Sequence, residues 1–175
     1  MAHSYQATDF LLDRANIHDV LVKMSLYVDT KEWDKMIKEV LSPDELVIDY
    51  TSFFGGEPQK LTAEEITGQW RALLGSMDAS QHVPSAILID LPQPGPETAV
   101  PQTAFVIAAA NAALVKGDRS EYNGGRYEIE FKRVSEDPQT GNPWRIAKLK
   151  AIMTWVAGDR NILQAEKVQG GDVQG

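Results

Sequence analysis

Three side chains suited to proton transfer stand on three separate segments of this chain. Asp29 lies in Tyr27-Val28-Asp29-Thr30-Lys31-Glu32-Trp33-Asp34, Tyr50 in Asp49-Tyr50-Thr51-Ser52-Phe53, and His82 follows Gln81. A carboxylate, a phenol and an imidazole are what acid/base chemistry without a cofactor needs, if the fold brings them together. Each also has a plainer reading. His82 is either a base or a core histidine with a satisfied hydrogen bond, and imidazole is the side chain best matched to proton transfer near neutral pH. Asp29 either orients a partner at a pocket wall or caps a helix, with Glu32 three residues on completing a capping box. Tyr50 and Tyr127 fall on apolar strand faces, where a phenol either packs or seeks a hydrogen-bond partner. Asn111 interrupts the alanine-rich run Phe105–Leu114, either bonding backbone at a bulge or facing a cavity that the alanines leave open.

The elements that must hold these groups are legible in outline. Phe10, Ile17, Leu21, Met24 and Val28 recur at helical spacing, which predicts an amphipathic helix over 8–28. A second helix is expected over 30–41, and Pro43-Asp44 ends it. Strand 45–50 follows, with Leu46, Ile48 and Tyr50 on one face. Thr62 and Glu65 form a capping box that opens a helix through about Leu74. Strands are then expected over 81–91, 102–116, 122–135 and 144–156, with His82, Pro84, Ala86 and Leu88 sharing one face. Gly124-Gly125 reads as a turn, 135–143 as a hairpin loop, and Arg160-Asn161-Ile162-Leu163 as a lid or an exposed end. The four tryptophans read as packing residues. This order predicts an α+β fold, with helices packed on one face of a curved, mostly antiparallel sheet. One domain is expected over 1–163, followed by a flexible tail over 164–175.

Composition narrows the chemistry. The 175 residues include no cysteine, which excludes disulfides, thiolate catalysis and Cys-based metal sites. Net charge of −8 argues against nucleic acid as a partner. Three scattered histidines form no metal-ligand spacing, and no Walker loop, dinucleotide fingerprint or nucleophile elbow is present. No cofactor is expected. The N-terminus lacks the pattern of a signal peptide and no apolar run is long enough to span a membrane, so an intracellular, cytoplasmic protein is expected.

The segments 29–34, 46–53 and 144–150 with Trp155, together with Gln81-His82, resemble the scytalone dehydratase family, fungal enzymes of the SnoaL-like group in the nuclear-transport-factor-2-like superfamily. The resemblance implies a cone-shaped barrel in which three N-terminal helices and the curved sheet enclose an apolar pocket. It implies dehydration of a hydroxylated, polyketide-type cyclic ketone without metal or cofactor, in secondary metabolism. An isomerase or cyclase working in the same pocket, or a non-catalytic small-molecule carrier, is the alternative. It also implies a small hydrophobic substrate and a homo-oligomer, dimer or trimer. Residue by residue, Asp29 fits the family aspartate, Tyr50 a water-holding tyrosine, His82 an assisting histidine and Phe53 a pocket wall. The histidine that pairs with the aspartate falls at Asn111, the second water-holding tyrosine at Val28 beside Tyr27, and the family asparagine at Tyr127. On this alignment His82 is the imidazole base. Asp29 is left to bond Asn111, to bind substrate or to act as an acid/base itself.

Overall fold

The computed structural model describes residues 4–134 and 141–163; His3, most of the expected hairpin loop and the expected tail lie outside the described residues. The chain runs through α1 (Ala7–Asp29), α2 (Trp33–Lys35), a π-helical turn (Met36–Val40), β1 (Leu46–Asp49), α3 (Thr51–Phe54), β2 (Gln59–Leu61) and α4 (Ala63–Leu74). Four long strands follow: β3 (Ala79–Asp90), β4 (Thr103–Lys116), β5 (Arg119–Arg133) and β6 (Trp144–Gly158). With β1 and β2 they form one six-stranded curved sheet in the order β2-β1-β6-β5-β4-β3. β1 runs parallel to β6, and every other pairing is antiparallel. The α+β architecture expected from the sequence is the one observed.

α1 buries Ile17, Val20, Leu21, Met24 and Val28 against the sheet, so the helical stripe read from the sequence faces the core. At its start the backbone N–H of Gln6 donates to the Asp9 carboxylate at 2.9 Å. α4 begins as expected: Thr62 N–H donates to Glu65 Oε2 at 2.8 Å, and Glu65 N–H donates back to Thr62 Oγ1 at 3.2 Å. The second helix differs from expectation. It starts at Trp33 with Glu32 at its N-cap, and Asp29 is the last residue of α1 rather than a cap. Lys31 turns the chain with φ of 60°, a conformation that costs a non-glycine residue energy. Its ammonium is fastened to the carbonyl oxygens of Gly75 and Met77, at 3.1 and 2.8 Å. That clasp ties the end of α1 to the connection entering β3.

Two features of the sheet overturn local readings. In β3 the register shifts between Ser85 and Leu88, and Ala86 sits at φ 48°. This is a bulge, which inverts side-chain parity. His82 points inward as expected, but beyond the bulge Ile87 and Ile89 turn in and Leu88 is 64% exposed. Gly124 and Gly125 are not a turn but lie inside β5, where β6 crosses closely. A Cβ on Gly124 would meet the Trp155 ring at 2.4 Å, and one on Gly125 would meet the carbonyl oxygen of Ile152 at 1.8 Å. Gly125→Ala is therefore expected to lower the melting temperature by several degrees, because backbone must move to admit a methyl group; a melting curve that superimposes on wild type would contradict the tight crossing.

Candidate active site

β3 is a sheet edge, so alternate N–H groups along it lack a partner in the ladder. Asp29, at the end of α1, supplies one. Its Oδ2 accepts the backbone N–H of His82 at 2.7 Å, while Oδ1 accepts from Ser80 Oγ at 2.9 Å and meets His82 Nδ1 at 2.7 Å. The helix end thus docks on the strand through the same carboxylate that grips the imidazole. Both side chains are largely buried, at 17% and 16% exposure. Partial burial pushes the Asp29 carboxyl upward, but the bonds from the His82 ring, the His82 backbone and Ser80 outweigh it and hold the group below its ordinary value. An ionised carboxylate only accepts, so Nδ1 carries the proton of this bond, and in the neutral imidazole the lone pair is on Nε2.

His82 lies in the wall of a cavity of about 250 Å³. Its apolar lining includes Met24, Val28, Ile48, Leu74, Leu114 and Leu149, and exposed Phe54, Glu57 and Gln59 rim one side. Strand register explains the room. His82 on β3 pairs with Ala112 on β4, which pairs with Asn123 on β5. A methyl group sits between two polar side chains, and strands about 4.8 Å apart leave a gap above it.

Tyr50 and Tyr127 complete the polar set. Trp70 Nε1 donates to the Tyr50 hydroxyl at 3.0 Å, which leaves the phenolic proton to be donated. Burial, with Tyr127 close by, pushes Tyr50 well above its usual value despite the Trp70 bond. Burial, followed by the charge of Asp29, pushes Tyr127 up to about 12. Both phenols therefore stay protonated as hydrogen-bond donors at neutral pH. Among the described residues, no group of three His, Asp or Glu side chains could hold a metal ion.

Of the residues singled out in the sequence, Asp29 and His82 are in contact, and His82, Tyr50, Tyr127, Phe53 and Val28 line the cavity. Two are placed elsewhere. Asn111 is exposed on the outer sheet face, between Val83 and Gly124, because inward positions on β4 are the even-numbered ones. Asp29 is thus paired with His82 and not with Asn111. Tyr27 is turned away from the cavity, and its hydroxyl donates to Glu39 Oε2 at 2.9 Å. Tyr27→Phe and Asn111→Ala are accordingly expected to keep turnover within about twofold of wild type, since neither side chain lines the cavity, buried Tyr27 gives up a hydroxyl whose partner Glu39 keeps its bond from Lys23, and Asn111 is an exposed position where changes are nearly neutral; a tenfold loss in either would return that residue to the site.

Three contributors went unread in the sequence. Ser80 shares strand parity with His82, a signal that was available. Asn123 shares parity with Tyr127 on β5. Its Nδ2 donates to buried Glu121 Oε1 at 3.0 Å, which leaves the amide oxygen and the second N–H of the amide for a guest. Trp70, expected only to pack, is buried and also orients the Tyr50 phenol.

A helical layer and a curved sheet close on an apolar cavity whose wall holds His82, gripped from behind by Asp29, and together they define a small α+β domain. The chain belongs to the SnoaL-like domain family, whose model matches residues 9–150. Solved structures similar to it include the Kfla4162 protein of Kribbella flavida, 21% identical with a TM-score of 0.73, covering 87% of this chain and 97% of that one. A protein of Novosphingobium aromaticivorans provisionally assigned as a scytalone dehydratase is 12% identical with a TM-score of 0.68, covering 85% and 89%. The hexachlorocyclohexane dehydrochlorinase LinA-type3 of Novosphingobium barchaimii is 16% identical with a TM-score of 0.64, covering 87% and 93%. At these identities the likeness is one of fold. No curated protein matches the sequence.

Proposed function

We propose that this protein is a cofactor-independent carbon–oxygen lyase that dehydrates a hydroxylated cyclic ketone of polyketide type. The observation that carries the reading is the Asp29–His82 pair, with Nδ1 fixed at 2.7 Å and the ring set in the wall of an apolar cavity. His82 Nε2 removes a proton from the carbon next to the carbonyl. The C–H electrons pass into an enolate, whose oxygen is held by hydrogen bonds from Tyr50 and Tyr127. The enolate then expels the β-hydroxyl, which takes the proton back from the His82 imidazolium and leaves as water. Asp29 stabilises the imidazolium between these steps. The names of two structurally similar proteins, a dehydratase and a dehydrochlorinase, both describe eliminations and lend this reading support.

Product mass tests it. Incubation with β-hydroxy cyclic ketones is expected to give a product lighter by one water. A product of unchanged mass would make the protein an isomerase or cyclase, and tight binding without turnover would make it a carrier.

A further inference from the structure

The side of α1 that faces away from the core carries a second apolar stripe. Leu11 is 64% exposed, Val22 40% and Leu26 50%, and exposed Ala15 lies between them. None of the four lines the cavity. Their order is symmetric. Counted outward from the bond between His18 and Asp19, Leu11 mirrors Leu26 and Ala15 mirrors Val22. The helix repeat makes this symmetry spatial. At 3.6 residues per turn, Ala15 and Val22 lie about 10° to either side of the direction midway between His18 and Asp19, and Leu11 and Leu26 about 30°. That direction is opposite the buried stripe of Ile17, Val20 and Met24. A two-fold axis set along it generates an antiparallel copy of the helix with every mirrored pair in contact.

We propose that the outer face of α1 is a self-association surface that takes a second copy of this chain, the two helices running antiparallel about an axis between His18 and Asp19. Leu11 then packs on Leu26 of the second copy and Ala15 on its Val22. His18 meets Asp19 of the second copy twice, once on each side of the axis. Within one chain these two form only a loose pair, 3.7 Å apart with both side chains more than half exposed. A parallel pairing would instead set His18 against His18 and align the helix dipoles unfavourably. At the margins Arg14 mirrors Lys23, but Lys23 is bonded to Glu39 at 2.7 Å, so Arg14 faces an ion pair and not a bare ammonium. A palindromic face is what a two-fold interface needs, because each contact is made twice. Residues 11–26 span only about 24 Å of helix, which places the dimer among weak, reversible associations.

Sedimentation equilibrium from low micromolar to near-millimolar chain is the first test. The average mass is expected to climb from one chain toward two. Leu26→Glu sets a carboxylate against Leu11 on both sides of the axis and is expected to raise the dissociation constant about tenfold or more. The melting temperature of the monomer should not change, since the position is exposed. Cross-linking reads the register. The chain has no cysteine, so an equimolar mixture of Ala15→Cys and Val22→Cys proteins carries one thiol per chain. Mild oxidation is expected to give the mixed disulfide in clear excess over both homodisulfides. Residues 15 and 22 of opposite chains are level, whereas two copies of residue 15 stand about 10 Å apart along the axis, past disulfide reach. A one-chain mass at every concentration, a dimer unaffected by Leu26→Glu, or disulfides in statistical proportion would each overturn the proposal. The second of these would assign association to another face, such as the outer sheet face that exposes Tyr122 and Trp155.

Discussion

Replacing His82 with alanine is expected to lower kcat/KM by about 10²- to 10⁴-fold, the usual contribution of a positioned acid/base group. The fold should survive. Asp29 keeps two of its donors, Ser80 and the backbone N–H of residue 82, so its carboxylate stays paired. Asp29→Asn should cost turnover for a different reason. An amide nitrogen at this position donates to Nδ1 and moves the ring proton to Nε2, the nitrogen that must accept from substrate. Steady-state turnover of the two variants decides the matter: near-wild-type rates in both would end the proton-transfer mechanism. The same pair gives a pH dependence with a defined sign. Asp29 is held below its ordinary value when folded. Its contribution to stability is therefore full above the unfolded carboxylate range and is lost as pH falls through the folded value. Asp29→Asn should lack that part of the acid-side loss, which urea unfolding between neutral and acidic pH would reveal.

The largest stability effect is expected away from the cavity, at Asp13. This buried carboxylate on α1 accepts from the Tyr5 hydroxyl at 2.9 Å, from Trp144 Nε1 at 2.8 Å and from Arg133 Nη2 at 2.5 Å. The Arg133 guanidinium also stacks over the Trp144 ring, 4.6 Å from its centre. Burial, with the bond to Asp13, raises the Tyr5 phenol well above its usual range, which keeps it a donor. Asp13→Ala leaves a guanidinium, an indole N–H and a phenol facing a vacancy at once. Removing one partner of a buried charged network costs about 3–5 kcal/mol, and in a chain of this size that corresponds to a drop of roughly 6–20 °C in melting temperature. Turnover measured well below the transition should be unaffected, because none of these four residues lines the cavity. A loss under about 1 kcal/mol in urea unfolding would show that this cluster contributes little, the range of an exposed ion pair.

Local pattern was enough for much of the architecture. The stripe of α1, the capping box at Thr62 and Glu65, and the inward alternation of Tyr127, Ile129 and Phe131 each follow from chemistry within a few residues, and all three stand in the fold. Local reading failed where a distant element set the outcome. Gly124 and Gly125 look like a turn in isolation, yet they are strand residues because the Trp155 ring and the Ile152 carbonyl occupy the space a side chain would need. The parity of β3 holds at His82 and fails at Leu88 because a bulge at Ala86 intervenes.

The sequence by itself determined which groups were available: one imidazole, one carboxylate and two phenols, on segments whose periodicity turns most of them inward. Their partnerships were decided by tertiary structure alone. Asp29 could serve equally as a helix cap by its neighbours, and Asn111 sits among alanines that suggest a cavity. Only the docking of the end of α1 on the open edge of β3 gave Asp29 to His82, and only the strand register turned Asn111 to the outside. Periodicity assigns a side chain to a face, whereas a hydrogen-bonded pair needs two faces from distant parts of the chain to meet, and that depends on how helix and sheet pack.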